Sequence, residues 1–214
     1  MDNLLLNDFT IEHRKQKGVV PINSIVKSAN FYLNDDKPCD DENSPCPSFF
    51  KNSCKRDTFI VKVNTPVTII NIESFFNSFK ITGSRCDYIL YDASKIVLAD
   101  LTCTMDYYLY PHTRDGEIVQ GKRIKARNQI EHTLEVLCAV KSINDYISKK
   151  RQKVGILAYK VKDETLFQNV PIQIDKTLAI WLNMEKEIET RNISFPMPYG
   201  FKFEMVKHPD VYQW

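Results

Sequence analysis

The chain has 214 residues, 43% of them hydrophobic and 11% aromatic, with 29 Lys+Arg against 27 Asp+Glu. That is enough for one sizeable domain with a real core, and it excludes a disordered or low-complexity chain. A net charge of +2 neither demands nor forbids nucleic acid, so only local patches can speak for it.

The start, MDNLLLNDFTIEHRKQ, carries acidic residues where a signal peptide needs a basic region. No apolar run reaches the roughly 18–20 residues a membrane helix needs. The expectation is a cytoplasmic protein without a membrane partner, its six cysteines mostly reduced. Residues 1–33 mix short apolar and basic pieces, and Pro21 breaks any helix there. Residues 34–56 read as a loop, with three prolines and five acidic residues. Cys39, Cys46 and Cys54 lie in it as C-x6-C-x7-C. Structural zinc prefers a short C-x2-4-C pair and four ligands, so an irregular loop is favoured over zinc completed by Cys86 or His13. Residues 1–57 are thus expected as an N-terminal extension with a cysteine-rich acidic loop, and 58–214 as a single α/β domain.

TFIVKVNTPVTIIN (58–71) is rich in β-branched residues and reads as strand or hairpin, turning at Asn64-Thr65-Pro66. ESFFNSF (73–79) is a short helix. Residues 86–92 and 95–103 form a hairpin. Two tyrosine-rich strands are expected to pair around Asp115-Gly116. One long helix spans about 122–150, with apolar rows through Ile130, Leu134 and Leu137 and through Val136, Val140, Ile143 and Ile147. KVGILAYKV (153–161) is a strand, TLAIWLNMEKEIETR (177–191) an amphipathic helix with Trp181 on its core side, and the tail ends in an edge strand. The order predicts an α/β (α+β) fold: a mixed central sheet flanked by helices.

The hairpin CDYILYDASKIVLADLT holds the chemistry. If it turns at Ala93-Ser94, paired positions sum to 187, and Asp87 meets Asp100 on one face. Asp is a poor strand former and opposed like charges destabilise a hairpin, so the pair needs a reason. Opposed Cβ atoms lie ~4.5–5.5 Å apart, a span over which two carboxylates can share one hard cation such as Mg²⁺ or Mn²⁺. Alternatively, both acids are solvated strand ends. A one-residue slip would separate them. Lys122, Arg123, Lys125 and Arg127 crowd a helix start, where cations oppose the helix dipole. That favours a phosphate ligand, with a solvated basic face as the plain alternative.

These motifs together resemble the PD-(D/E)XK nuclease superfamily, with its restriction-endonuclease-like core. Cys86-Asp87-Tyr88 stands where its first Asp belongs. Asp100-Leu101-Thr102 stands at its acidic-x-Lys triplet, 13 residues on, and Gln129 stands at its helix Gln. The resemblance implies a metal-dependent nuclease acting on DNA or RNA, with Mg²⁺ or Mn²⁺ held by Asp87, Asp100 and Glu73. A setting in bacterial or mobile-element defence goes with it. Thr102 replaces the family's lysine. Lys125 is the expected substitute, among Lys122, Lys125, Gln129 and His132 on one helical stripe. Catalytic roles are then expected for Asp87, Asp100, Lys125 and Gln129, and nucleic-acid contacts for Lys122, Arg123, Lys125 and Arg127. The partner is nucleic acid, with a protein partner or a second copy as further options. The loss of the lysine equally suits an inactive member of the fold that binds protein or nucleic acid. An unrelated α/β interaction protein is the remaining reading.

Overall fold

The computed structural model describes residues 1–14, 22, 24–34, 57–104, 106–114, 116–161 and 195–214. Cys39, Cys46, Cys54, Asp115, Trp181 and the helix expected over 177–191 lie outside the described residues.

The strands are β1 (Ser24–Lys27), β2 (Phe31–Asn34), β3 (Asp57–Lys62), β4 (Val67–Asn71), β5 (Tyr88–Tyr91), β6 (Lys95–Thr104), β7 (His112–Arg114), β8 (Glu117–Val119), β9 (Gln152–Val161), β10 (Phe195–Pro196), β11 (Lys202–Lys207) and β12 (Val211–Gln213). The helices are α1 (Asp2–Leu4), α2 (Thr10–Arg14), α3 (Ile72–Ser78), α4 (Lys122–Cys138) and α5 (Lys141–Ser148). A mixed seven-stranded sheet runs in the order β1-β4-β5-β6-β9-β11-β10. The strands from β1 to β6 pair antiparallel, whereas β6, β9 and β11 are parallel. Parallel neighbours need a crossover, and α4 and α5 supply it between β6 and β9. The α/β fold class expected from the order of elements is therefore observed. Among the described residues, no helix is long and apolar enough to cross a membrane.

Each face of the large sheet buries its own core. Ile89, Ile96 and Leu98 pack under Ala126, Ile130, Leu134 and Leu137 of α4, with Leu5, Phe9 and Phe75. The alternate positions, Tyr88, Leu90, Val97 and Ala99, pack against Phe31, Leu33, Phe59 and Val61 of a second sheet, ordered β12-β3-β2. The hairpin strands are buried on both sides, which is why they read as nearly continuous apolar runs.

Several expectations change. Within residues 1–57, read as an extension, Ser24–Lys27 joins the large sheet and Phe31–Asn34 the small one, and Leu5 and Phe9 are fully buried. The Asn64-Thr65-Pro66 turn joins two different sheets instead of closing a hairpin. The strand pair around Gly116 exists as β7–β8, but Tyr108 and Tyr110 precede it, the first in a 3-10 turn over Asp106–Leu109. β11 is not an edge, since β10 pairs with it. The long helix breaks at Ala139-Val140, where Val140 is extended (φ −84°, ψ 111°). On a straight helix the first apolar row would end on Lys141. The break re-aims the second row, so Val140, Ile143 and Ile147 enter the core.

Candidate active site

The paired part of the hairpin, Tyr88–Tyr91 against Ile96–Ala99, has the expected register, and the two aspartates lie one position beyond it. Tyr88 pairs with Ala99 and Tyr91 with Ile96, each summing to 187. Ala93-Ser94 is not a favoured two-residue turn, and Asp92 explains why it holds. Its Oδ1 accepts the Ser94 and Lys95 N–H groups, both at 2.7 Å. Its Oδ2 accepts the indole N–H of Trp214 at 2.7 Å, so the C-terminal tryptophan docks on the hairpin turn. Lys95, nearly buried, lies over the rings of Tyr212 (4.6 Å) and Trp214 (4.8 Å). Burial of Asp92 would by itself raise its carboxyl pKa, but the bonds from Trp214, Lys95 and Ser94 outweigh that and hold it below the ordinary value.

Asp87 lies one residue before β5, alongside Asp100. Its N–H donates to the Ala99 carbonyl at 3.0 Å, and its Oδ2 accepts the Leu101 N–H at 2.7 Å, so its bonds bracket Asp100. Because β5 starts only at Tyr88, the Asp87 carboxylate takes the place of a ladder carbonyl. One oxygen of Asp87 is thereby committed to structure. Asp100 alternates with Ile96 and Leu98, which puts it on the α4 face, and it is only 7% exposed. The Cys86 thiol reports both acids. Burial, then the Asp100 and Asp87 carboxylates, push its pKa well above the usual thiol range, against a hydrogen bond to Thr133.

α4 grips the loop that leads into Asp87. The Gln129 side-chain amide donates to the Arg85 carbonyl at 2.8 Å. The Thr133 hydroxyl accepts the Cys86 N–H at 3.0 Å and donates to the Gln129 carbonyl at 2.8 Å. His132 lies 3.4 Å from the Thr82 carbonyl and 3.7 Å from Glu135, so it meets the loop, not the acids. Gln129 therefore positions the loop through its amide nitrogen. Thr133, which gave no signal in the sequence, does as much.

At 3.6 residues per turn, Lys122 lies within about 20° of the line through Gln129 and Thr133, whereas Lys125 is turned about 60° from Lys122. Lys125 is exposed and Lys122 half-buried, so Lys122 continues the stripe that reaches the loop. The four expected nucleic-acid contacts do not form one basic face. Arg123 is nearly buried, its guanidinium 4.7 Å over the Phe195 ring, and Arg127 pairs with Glu131 at 2.9 Å.

Glu73 lies in the first turn of α3, whose Asn71 cap accepts the Ser74 N–H at 2.7 Å. The Ile72 and Glu73 N–H groups lie 3.0 and 3.5 Å from the Asp87 carbonyl, so the backbone of Glu73 is beside the pair. Its carboxylate does not complete a trio. Among the described residues, no group of three or more His, Cys, Asp or Glu is placed to hold a metal ion. His13, weighed with Cys86 as a fourth ligand for the disfavoured zinc site, packs on Phe9 with ring centroids 4.1 Å apart.

The start of α4 is fixed by Gly121. A Cβ there would fall 2.3–2.5 Å from the backbone of Leu109 and Tyr110, so only glycine allows this approach. The start of α4 is thereby held against Leu109 and Tyr110, at the end of the 3-10 turn that follows β6.

In comparisons with known proteins, no family model matches the chain, and no curated protein or solved structure is significantly similar to it.

Proposed function

We propose that the chain is a metal-dependent nuclease of the PD-(D/E)XK type, hydrolysing phosphodiesters of DNA or RNA. The observation that supports this reading is that Asp87 bonds through its N–H to Ala99 and through its carboxylate to Leu101, on either side of Asp100 in a strand packed under α4. Gln129, on the helix that follows, touches the same loop. The donor set suits a hydrated hard cation and not a closed zinc site. Mg²⁺ keeps several waters and takes one or two carboxylates. Asp100 and the second oxygen of Asp87 would hold it. Bound there, the metal lowers the pKa of its water and offsets charge on the phosphate.

The protein's own groups then have separate tasks. Leu101 N–H orients the Asp87 carboxylate, and Gln129 and Thr133 hold Arg85 and Cys86 so that Asp87 is delivered to the end of β5. Lys122 is the α4 cation in line with these contacts and takes the role first expected of Lys125.

A second reading is an inactive nuclease fold that binds protein or nucleic acid. Thr102 in place of lysine, and the lack among the described residues of a third acid placed with the pair, favour it. Calorimetry with Mg²⁺ and Mn²⁺, on the wild type and on Asp100→Asn, separates the two. The nuclease reading expects binding that the variant loses, with Mn²⁺-dependent cleavage of DNA or RNA by the wild type alone. No metal binding and no cleavage, with or without nucleic acid, would leave the binding module.

A further inference from the structure

Beyond Asp100, the same face of β6 continues to Thr102. Parallel register sets Thr102 beside Tyr159 of β9, and Tyr159 beside Lys207 of β11. All three share the face of Asp100. Tyr159 and Met205 pack against the α4-side core and Val206 against the opposite one, so Lys207 alternates onto the α4 side. Neighbouring strands stand ~4.8 Å apart, so one row of side chains crosses three strands: a hydroxyl, a phenol and an ammonium. Burial falls along the row, from Thr102 at 7% exposed, through half-buried Tyr159, to exposed Lys207. The backbone at the open end is tied down. His208 N–H donates to the Tyr159 carbonyl at 2.8 Å, and Asp210 N–H to the Lys207 carbonyl at 2.7 Å.

The row lies at the carboxyl ends of three parallel strands, the side on which open α/β sheets bind ligands. Two carboxylates next to it repel a phosphodiester unless cations and donors face them. A metal between the acids answers one phosphoryl oxygen. The others need donors from a second wall, where Lys and hydroxyl groups stabilise charge on phosphorus-bound oxygens.

We propose that Thr102, Tyr159 and Lys207 form the wall of a phosphodiester-binding subsite beside Asp100, with Lys207 as its cation and the two hydroxyls as donors. The subsite rests on the nuclease reading and names where that site takes its substrate. Thr102 is then a member of the site and not a degenerate position.

The test is fluorescence anisotropy with fluorescein-labelled DNA and RNA hairpins, Ca²⁺ replacing Mg²⁺ to prevent cleavage. The wild type is compared with Lys207→Gln, Lys207→Arg and Tyr159→Phe over a series of salt concentrations, with Mn²⁺ cleavage assayed in parallel. Lys207→Gln should weaken binding about tenfold, the size of one charge-assisted contact, and lower the slope of log affinity on log salt by about one phosphate contact. Lys207→Arg should restore both. The salt slope is the decisive readout, because a merely structural loss would not change it. Wild-type binding or cleavage that Lys207→Gln leaves unaltered overturns the subsite and spares the nuclease reading. A wild type that neither binds nor cleaves overturns both.

Discussion

Replacing Asp92 by Ala tests why an Ala-Ser turn holds the register on which the site depends. The substitution removes the acceptor of three N–H groups: the Ser94 and Lys95 amides and the Trp214 indole, each at 2.7 Å. Hydrogen bonds to a charged acceptor contribute about 1.5–3 kcal/mol each, which would sum to roughly 5–9 kcal/mol. That sum is too large here. The turn is exposed at Ala93 and Ser94, so water replaces much of what the amides lose. The half-buried indole keeps most of its loss. A net destabilisation of about 2 kcal/mol is expected. Asp92→Asn keeps one acceptor oxygen and should cost about half as much. Urea unfolding of the three proteins measures this. The pH dependence has a fixed sign. The Asp92 carboxyl is held below its ordinary value in the fold, so its stabilisation is present above the unfolded pKa of ~3.9 and is lost as pH falls through the folded value. The gap between wild type and Asp92→Ala should therefore be the same at neutral pH and at pH ~5, and close only below the ordinary carboxylate range. A gap under ~0.5 kcal/mol at neutral pH, within the usual range of surface substitutions, would refute this account of the turn.

Other substitutions probe the supports of the site. Thr133→Val leaves the buried Cys86 N–H without its acceptor and should cost about 1–3 kcal/mol in urea unfolding, far more than Ser142→Ala on the neighbouring helix. Gly121→Ala places a methyl group 2.3–2.5 Å from the Leu109 and Tyr110 backbone, so a loss of at least 1–3 kcal/mol is expected from overpacking, read as a lowered Tm. Asp87→Asn retains an oxygen for the Leu101 N–H but not the charge. Its Tm should stay near wild type while calorimetric Mg²⁺ binding disappears, and retained binding would remove Asp87 from the metal site.

The parts of this fold that were legible in the sequence are those set by local periodicity. A turn at Ala93-Ser94 predicts the register of Tyr88–Tyr91 with Ile96–Ala99, and the order of strand, hairpin, helix and strand predicts the mixed sheet. Pairings between distant segments left no such trace. Nothing in Ser24–Lys27 or Phe31–Asn34 says which strand each will join, and those choices put the first in the large sheet and the second in the small one. The helix break was half visible, because a row that ends on Lys141 cannot stay on the core face. At the site, residue types marked Asp87, Asp100 and Gln129, while Thr133 was silent, because a threonine on an apolar stripe reads as packing. Lys125 and Lys122 differ by about 60° of helix rotation, and the contacts of Gln129 and Thr133 with residues 85 and 86 put Lys122 nearer their line.

The two aspartates have different claims to function. The Leu101 N–H accounts for an acceptor at position 87, since β5 begins too late to supply a carbonyl, and a neutral asparagine would serve the ladder as well. The ladder makes no such demand at position 100. The backbone of Asp100 runs within β6 between two paired strands, and its side chain leaves the sheet plane toward α4. Holding a carboxylate there at 7% exposure, beside a second one, costs desolvation and repulsion together. An alanine like the one at position 99 would fill a strand position without either cost. The structural role of Asp87 therefore leaves the case for a cation resting on Asp100.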